Sequence, residues 1–234
     1  MGTVNRHCYS MILFDGSEEA FREWRKVGPN DFVLNGNEIV TSGNSDFALL
    51  YYASATFSDF ALTLEFRLSD PLRDNSGIFI RFRNPELLPT TVIISRDEFG
   101  YVARNPAWIA VYSGFEVQID EQARGDKKKN EPDGLDKNRT GAIYKIPTGQ
   151  NGEPRLQDFH PAPPLQPDQW NSYEIEVNGQ HYVVRLNGRQ TTSFSNTDRR
   201  RGIPGEIDRD SGYIGLQSYR DSRVAFRNIR VHPL

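Results

Sequence analysis

Residues 170–194 read WNSYEIEVNGQHYVVRLNGRQTTSF, three segments in which apolar and polar side chains alternate. This period of two is that of a β-strand with one buried face. Asn178-Gly179 and Asn187-Gly188 separate the segments, and Asn-Gly supplies the positive φ angles that a type I′ hairpin turn requires. The stretch therefore predicts a three-stranded antiparallel meander.

Similar alternation recurs along most of the chain. In ALTLEFRL, residues 61–68, every second side chain is apolar. In GIFIRFR, residues 77–83, the same period predicts that Phe82 faces the core and that Arg81 and Arg83 face the other side. Further strands are predicted at 115–120, 212–217 and 223–231. With about a dozen strands and no repeat, the chain is expected to be all-β, an antiparallel two-layer sandwich.

One stretch has helical spacing. SEEAFREWRK, residues 17–26, offers Ser17 as an N-cap and places apolar side chains on one helix face. We expect at most one or two short helices in the whole chain. Trp24 and Trp170 are assigned to the core because their neighbours are apolar.

The composition excludes several classes of protein. The chain has 234 residues, with 28 Lys and Arg against 31 Asp and Glu, a formal net charge of −3. Binding to nucleic acid by bulk charge needs a basic surface, so we expect no nucleic-acid partner. No apolar run approaches the roughly 20 residues of a membrane helix, and the apolar run 11–14 is too short for a signal peptide. We expect no membrane partner and a soluble, cytoplasmic protein, unless an export signal has been removed.

Two long segments without a strand pattern lie between predicted strands. Residues 120–138 are charged, and residues 147–167 are rich in proline. Neither flank of either segment can form a compact core alone, so we expect one domain over residues 1–234. Loops of this length in a compact domain are usually functional or mobile.

Several short motifs then occur in a familiar order. They are LFDG at 13–16, DFALTLEFRL at 59–68, NSGIFIR at 75–81, EVQI at 116–119, TGAIY at 140–144, QWNSYEIEVNG at 169–179, GYIGLQ at 212–217 and FRNIRV at 226–231. Together they resemble the 3-keto-disaccharide hydrolase family over residues 13–234. The resemblance implies a jelly-roll sandwich of the concanavalin A-like lectin/glucanase type. An insert at 85–114 and the two expanded long loops depart from the family pattern.

The resemblance also implies a reaction. A sugar oxidised at C3 has an acidic proton at C2, so a base can remove it and the group at C1 can leave by elimination, after which water adds. On this basis the chain is expected to be a hydrolase or lyase of a 3-keto glycoside. The alternative is a non-catalytic, lectin-like carbohydrate-binding module, since sandwiches of this type host both functions. A third interpretation is a structural or interaction domain.

Charged and amide side chains mark the candidate site on the non-core faces of three strands. If these strands are neighbours, as the resemblance implies, opposed charges share one concave surface and can hold an acid or base in the state that catalysis needs. Ordinary cross-strand salt bridges on an exposed sheet explain the same pattern. The residues concerned are Glu65, Arg67, Arg81, Arg83, Glu116 and Gln118.

The implied chemistry assigns roles to these residues. Glu116, on the EVQI strand, is the candidate base, and Arg81 is the candidate for stabilising charge on the C3 oxygen. Glu65 is expected to protonate the leaving oxygen or to orient Arg81. Hydrolysis of an ordinary glycoside by paired carboxylates, Glu65 and Glu116, is a related possibility.

The substrate-binding candidates are of two kinds. Gln118 and Gln217 can each donate to and accept from sugar hydroxyls, and Arg67 and Arg83 can bind the substrate alongside them. Trp108, in the insert, can stack on an apolar sugar face. Packing of the insert onto the sandwich explains Trp108 equally well.

No cofactor is expected. The single cysteine, Cys8, excludes a Cys-based metal cluster, and no HExxH motif is present. Asp133, Asp136 and Asn138 could bind a structural calcium ion in the 120–138 loop, although EF-hand spacing is missing. We expect no metal, with calcium as the open alternative.

Overall fold

The computed structural model describes residues 10–43, 45–87, 96–197 and 211–234, of which 96–99 are described by backbone alone. Within these ranges, nine strands form one sheet: β1 Met11–Phe14, β3 Asp31–Asn35, β4 Glu38–Ser42, β6 Phe60–Leu68, β9 Gln157–Phe159, β10 Trp170–Asn178, β11 His181–Leu186, β12 Arg189–Ser195 and β14 Val224–Pro233. A second sheet of five described strands contains β2 Trp24–Val27, β5 Ala48–Tyr52, β7 Ser76–Phe82, β8 Phe115–Ile119 and β13 Tyr213–Ser218.

Both sheets are antiparallel throughout their described pairs. The larger has the order β3-β4-β14-β6-β10-β11-β12-β9, with β1 paired to β14, and the smaller has the order β2-β5-β13-β7-β8. Their inner faces pack together as the period-two patterns predict: Leu62 and Leu64 of β6 share a buried cluster with Ile78 of β7 and Val117 of β8. The all-β, two-sheet jelly-roll prediction is confirmed.

Three short α-helices lie in the described residues, one more than the sequence analysis allows: α1 Glu18–Arg22, α2 Arg96–Arg104 and α3 Trp108–Ser113. Ser17 caps α1 as predicted, its Oγ accepting from the Ala20 N–H (3.1 Å). Trp24 is buried, and its Nε1 donates to the Leu13 carbonyl (2.9 Å). No described helix is long and apolar enough to cross a membrane.

The two hairpins of the 170–194 meander differ. Asn187 and Gly188 have φ values of 51° and 76°, as a type I′ turn requires. In the first hairpin Asn178 pairs with His181, so the turn residues are Gly179 and Gln180, one position later than predicted. Gly179 is fixed there by tertiary contacts, because its N–H donates to Asp59 Oδ1 (2.9 Å) and its carbonyl accepts from Arg81 Nη1 (2.6 Å).

A bulge in β7 reverses the predicted faces at its end. Arg81 has φ 53°, and the pairing of β7 with β13 shifts register there. A residue inserted in this way turns the following side chains to the opposite face. Phe82 therefore packs with Phe79 on the outer face instead of in the core, which corrects the prediction for residues 77–83.

Trp170 is also on a different face from the one predicted. Its half-buried ring lies on the outer face of the larger sheet, with the Arg227 guanidinium 3.9 Å and the Arg67 guanidinium 5.0 Å from the ring centroid. Such cation–π contacts stabilise a ring that the inner core does not cover.

Candidate active site

The predicted site residues lie on opposite sheets. Glu65 and Arg67 are on β6 of the larger sheet, whereas Glu116 and Gln118 are on β8 and Gln217 is on β13 of the smaller sheet. All five face outward, with the apolar core between the two sets. The prediction of one shared surface is wrong, because alternation along a strand fixes its faces and leaves its sheet undetermined.

The Glu65 carboxylate is hydrogen-bonded to β14, its neighbour in the larger sheet. Its Oε2 accepts from Arg227 Nε (2.6 Å) and Asn228 Nδ2 (2.7 Å). Burial raises the pKa of Glu65, but these two hydrogen bonds and the charge of Arg227 together lower it below its ordinary value. Glu65 is therefore ionised at neutral pH and has no proton to give to a leaving oxygen. Packed sheets lie about 10 Å apart, so two outward carboxylates on opposite sheets are too distant for paired-carboxylate hydrolysis, which needs about 5–9.5 Å.

The arginine candidates are also away from Glu116. Arg67 pairs with Glu38 (2.7 Å), on the outer face of the larger sheet. The buried Arg81 guanidinium binds the Ser58 carbonyl (2.8 Å), the Gly179 carbonyl (2.6 Å) and Asp59 Oδ1 (3.0 Å). The bulge directs it to the end of the sandwich, so the predicted role on the C3 oxygen has no geometric basis. Arg83 lies just past β7, and its backbone N–H donates to Ser113 Oγ (3.0 Å).

Three of the predicted residues do lie together: Glu116, Gln118 and Gln217, which we call the Glu116 cluster. All three are buried, with exposed fractions of 3%, 3% and 7%. Gln217 Nε2 donates to Glu116 Oε1 (2.7 Å). With the Gln118 amide oriented so that its nitrogen faces acceptors, that nitrogen donates to the same oxygen (3.2 Å) and to the Ser76 carbonyl (3.1 Å). Two amide donors therefore fix one oxygen of a buried carboxylate.

Backbone register explains the position of the carboxylate. Glu116 pairs with Phe79 across β8 and β7, and Gln118 pairs with Gly77. A Cβ on Gly77 would lie 2.2 Å from Glu116 Oε1. The missing side chain at Gly77 thus provides the space in which the carboxylate lies. Arg81 is four residues further along β7, about 13 Å away.

The side-chain oxygen of Gln217 is a hydrogen-bond acceptor without a described donor. This atom, Oε1, is buried and, within the described ranges, has no hydrogen-bond partner. A buried amide oxygen without a donor costs free energy, and such groups in native proteins usually indicate a function or a bound molecule. A hydroxyl group of a ligand would supply the donor.

Two tyrosines that the sequence analysis did not consider border this cluster. The Tyr144 N–H donates to the Glu116 carbonyl (2.8 Å). Burial raises the pKa of the Tyr144 phenol, and the nearby Glu116 carboxylate raises it further. Burial also raises the pKa of Tyr219, with smaller increases from Asp46 and Glu116. Both phenols are therefore protonated at neutral pH and can donate hydrogen bonds.

Signals for both tyrosines exist in the sequence. Tyr144 ends the family-like motif TGAIY, and Tyr219 follows Gln217 by two positions, the spacing of side chains on one strand face.

An aromatic row adjoins the Glu116 cluster on the same outer face. Phe79 is the cross-strand partner of Glu116, and its ring centroid lies 5.5 Å from that of Phe47. The Phe47 centroid lies 5.4 Å from that of Trp108, at the start of α3. Trp108 also contacts Tyr101 (5.6 Å) and Tyr112 (6.1 Å). Trp108 packs the insert onto the sheet, and its ring remains half-buried.

The calcium candidates do not converge. Asp133 pairs with Lys127 (2.7 Å), Asp136 with Arg139 (3.6 Å), and the Asn138 amide donates to Glu131 (3.1 Å). Among the described residues, no group of three or more His, Cys, Asp or Glu side chains is placed to hold a metal ion.

Solved structures share the fold. A candidate glycosyl hydrolase from Parabacteroides distasonis has a TM-score of 0.63 and 17% identity, over 96% of this chain and 94% of that one. A second from the same species has a TM-score of 0.59 and 20% identity, over 97% and 100%. A Bacillus subtilis protein of unknown function with a galectin-like fold has a TM-score of 0.59 and 12% identity, over 96% and 94%.

A family model gives the assignment. No curated protein matches the chain significantly. The model for a 3-keto-alpha-glucoside-1,2-lyase-like domain matches residues 10–232, nearly the whole chain. The chain belongs to this carbohydrate-related, glycosyl hydrolase-like family.

Proposed function

We propose that the protein cleaves the glycosidic bond of a 3-keto glycoside, with Glu116 as the base that removes the C2 proton. One observation carries this proposal: a buried carboxylate is fixed through one oxygen by two glutamine amides beside two protonated tyrosines. Removal of a carbon-bound proton needs such a positioned base, together with donors for the oxygen on which charge develops.

The reaction proceeds in two stages. Glu116 takes the C2 proton, and the electron pair of that bond forms an enolate with the C3 oxygen. The enolate then collapses: the C3 carbonyl re-forms, a C1–C2 double bond forms, and the C1–O bond breaks as the leaving oxygen takes a proton. Water adds its oxygen to C1 and a proton to C2, which releases the 3-keto sugar.

The surrounding side chains supply the remaining roles. In place of Arg81, we assign Tyr144 and Tyr219 as donors, one to the C3 oxygen and the other to the leaving oxygen. Gln217 Oε1, an acceptor without a described partner, would accept from a sugar hydroxyl. Gln118 holds the Glu116 carboxylate in position.

The aromatic row supports binding of the second part of the substrate. Trp108 is joined to Phe79 through Phe47 by ring centroid distances of 5.4 and 5.5 Å. This reach suits a group one or two sugar units from the cleaved bond, with stacking on Trp108 as the attractive contact. We assign this end to the leaving group.

Product release from a 3-keto disaccharide tests the proposal, with wild type compared with Glu116→Gln. The amide cannot take a proton, so turnover is expected to fall by at least about 100-fold. Binding, measured by calorimetry with the same sugar, is expected to be retained. Equal turnover by the two proteins would remove Glu116 as the base.

A carbohydrate-binding module gives a different result. Wild type and Glu116→Gln would then both bind the sugar, and neither would release product from any of several keto-disaccharides. That outcome would contradict the proposed enzyme activity and support the binding function.

A further inference from the structure

A second carboxylate, Glu131, is the centre of an ion cluster next to Tyr144. Glu131 pairs with Lys145 and Lys137, the latter at 3.2 Å, and accepts from Asn138 Nδ2 (3.1 Å) and the Asp126 N–H (3.1 Å). Its side chain is 15% exposed. So many donors on one partly buried carboxylate fix both its position and its charge.

Lys145 connects this cluster to the active site. Its ammonium lies 5.1 Å from the centroid of the Tyr144 ring. Its backbone has φ 64°, a left-handed conformation that residues with a side chain rarely adopt, and its N–H donates to the Lys137 carbonyl (2.9 Å). The Glu131 pairing and this backbone bond hold Lys145 against the ring.

We propose that Glu131 is a positioning residue: through Lys145 it fixes the Tyr144 ring beside Glu116. This inference rests on the proposed function, in which Tyr144 donates to the substrate.

The charges around Tyr144 support it. Burial raises the pKa of the Tyr144 phenol most, and four nearby groups raise it further: Glu116 on β8, Glu131 and Asp126 in the 120–138 loop, and Tyr219 after β13. Loss of the Glu131 charge is therefore expected to ease ionisation of Tyr144, in addition to releasing Lys145 from the ring.

The experiment uses the full chain labelled with 3-fluorotyrosine, with the Tyr144 resonance assigned from Tyr144→Phe by ¹⁹F NMR. Glu131→Gln is compared with Glu153→Gln. Glu153 is a matched control because it belongs to the same ion cluster, pairs with Lys137 and has no described contact with Lys145. Both spectra are followed from neutral to alkaline pH.

In Glu131→Gln, the Tyr144 resonance is expected to shift and to titrate at lower pH than in wild type, while Glu153→Gln leaves it unchanged. The kcat is expected to fall by about 10- to 100-fold in Glu131→Gln, with little change in KM, because the donor is misplaced. If Glu131→Gln does not fold, Lys145→Met is expected to shift the same resonance.

An unchanged resonance in a folded Glu131→Gln or Lys145→Met protein, or an equal change in Glu153→Gln, would overturn the inference. The NMR result needs no turnover. An inactive wild type would therefore contradict the proposed function, while the spectra would still decide whether Glu131 positions Tyr144.

Discussion

The carboxylate of Glu116 occupies the space that a side chain on Gly77 would fill. A Cβ there would lie 2.2 Å from Oε1 and 2.8 Å from Cγ of Glu116. Gly77 therefore shapes the candidate site, because the absence of a side chain there leaves room for the Glu116 carboxylate.

Gly77→Ala tests this relationship. The methyl group displaces Glu116 from its two glutamine donors, so turnover is expected to fall by about 10- to 100-fold. Overpacking is expected to cost about 1–3 kcal/mol of stability. Gly100→Ala is the control, because Gly100 lies on α2 and an added Cβ there has no described neighbour within 4 Å apart from adjacent residues and the helix's own backbone. Steady-state kinetics in which both variants match wild type would contradict the account.

Arg81 is expected to matter for folding instead of chemistry. Its guanidinium connects the loop before β6 to the β10–β11 turn, and its side chain is 1% exposed. Arg81→Met removes the donor from the Ser58 and Gly179 carbonyls and leaves Asp59 without its cationic partner, which is expected to lower the free energy of unfolding by about 3 kcal/mol.

Arg67→Met is the matched variant for this prediction. Arg67 forms an ion pair with Glu38 on the outer face of the larger sheet, and 28% of its side chain is exposed. This variant is expected to cost less than about 1 kcal/mol. Urea unfolding measures both changes, and an equal cost for the two would contradict the role of Arg81 as a clamp.

Tyr144→Phe removes one hydroxyl group and keeps the ring. If this phenol stabilises charge on the substrate oxygen, kcat is expected to fall by about 100-fold with the fold intact. Tyr101→Phe, on the exposed side of α2, is the control and is expected to keep full activity. Unchanged kcat in Tyr144→Phe would remove this tyrosine from the mechanism.

Glu131 gives stability a defined pH dependence. Burial raises the pKa of Glu131, but its hydrogen bonds, the largest from Lys145, lower it to about 2, below its ordinary value of 4.5. The folded state thus binds this proton less readily than the unfolded chain, so the stabilisation is complete above about pH 5 and is lost as pH falls towards 2. The pKa difference corresponds to at most about 3.5 kcal/mol.

Urea unfolding at pH 7, 5, 4 and 3 measures this dependence. Glu131→Gln is expected to be less stable than wild type at pH 7, with a difference that narrows as the pH falls. Asp31→Asn removes an exposed carboxylate paired with Lys26 and serves as the control. A constant difference at all four pH values would contradict the account.

The sequence predicts most of the fold because period-two patterns report burial directly. β6, β8 and the meander lie within one or two residues of their predicted bounds, and the core faces of β6 and β8 are correct. The bulge at Arg81 could not be predicted, because it depends on contacts with Ser58 and Gly179 from distant parts of the chain.

The candidate site is predictable only in part, because the period-two pattern gives the face of a side chain and not its neighbours on other strands. The sequence indicates Glu116, Gln118 and Gln217 as polar positions on strands, and the structure brings them together. It cannot separate Glu65 from them, because alternation says nothing about which sheet a strand joins. Tyr144 was missed because residues 140–146 carry no strand pattern, although they hydrogen-bond along β8.

The central claim is proton removal from C2 by Glu116, and the most direct measurement is deuterium incorporation during cleavage of a 3-keto disaccharide in D₂O. The released keto sugar is quenched early, and its C2 signal is read by ¹H NMR against an enzyme-free control for spontaneous exchange. Elimination followed by hydration predicts one deuterium at C2 in the wild-type product and none above the control with Glu116→Gln. A wild-type product that retains its C2 proton would contradict the mechanism.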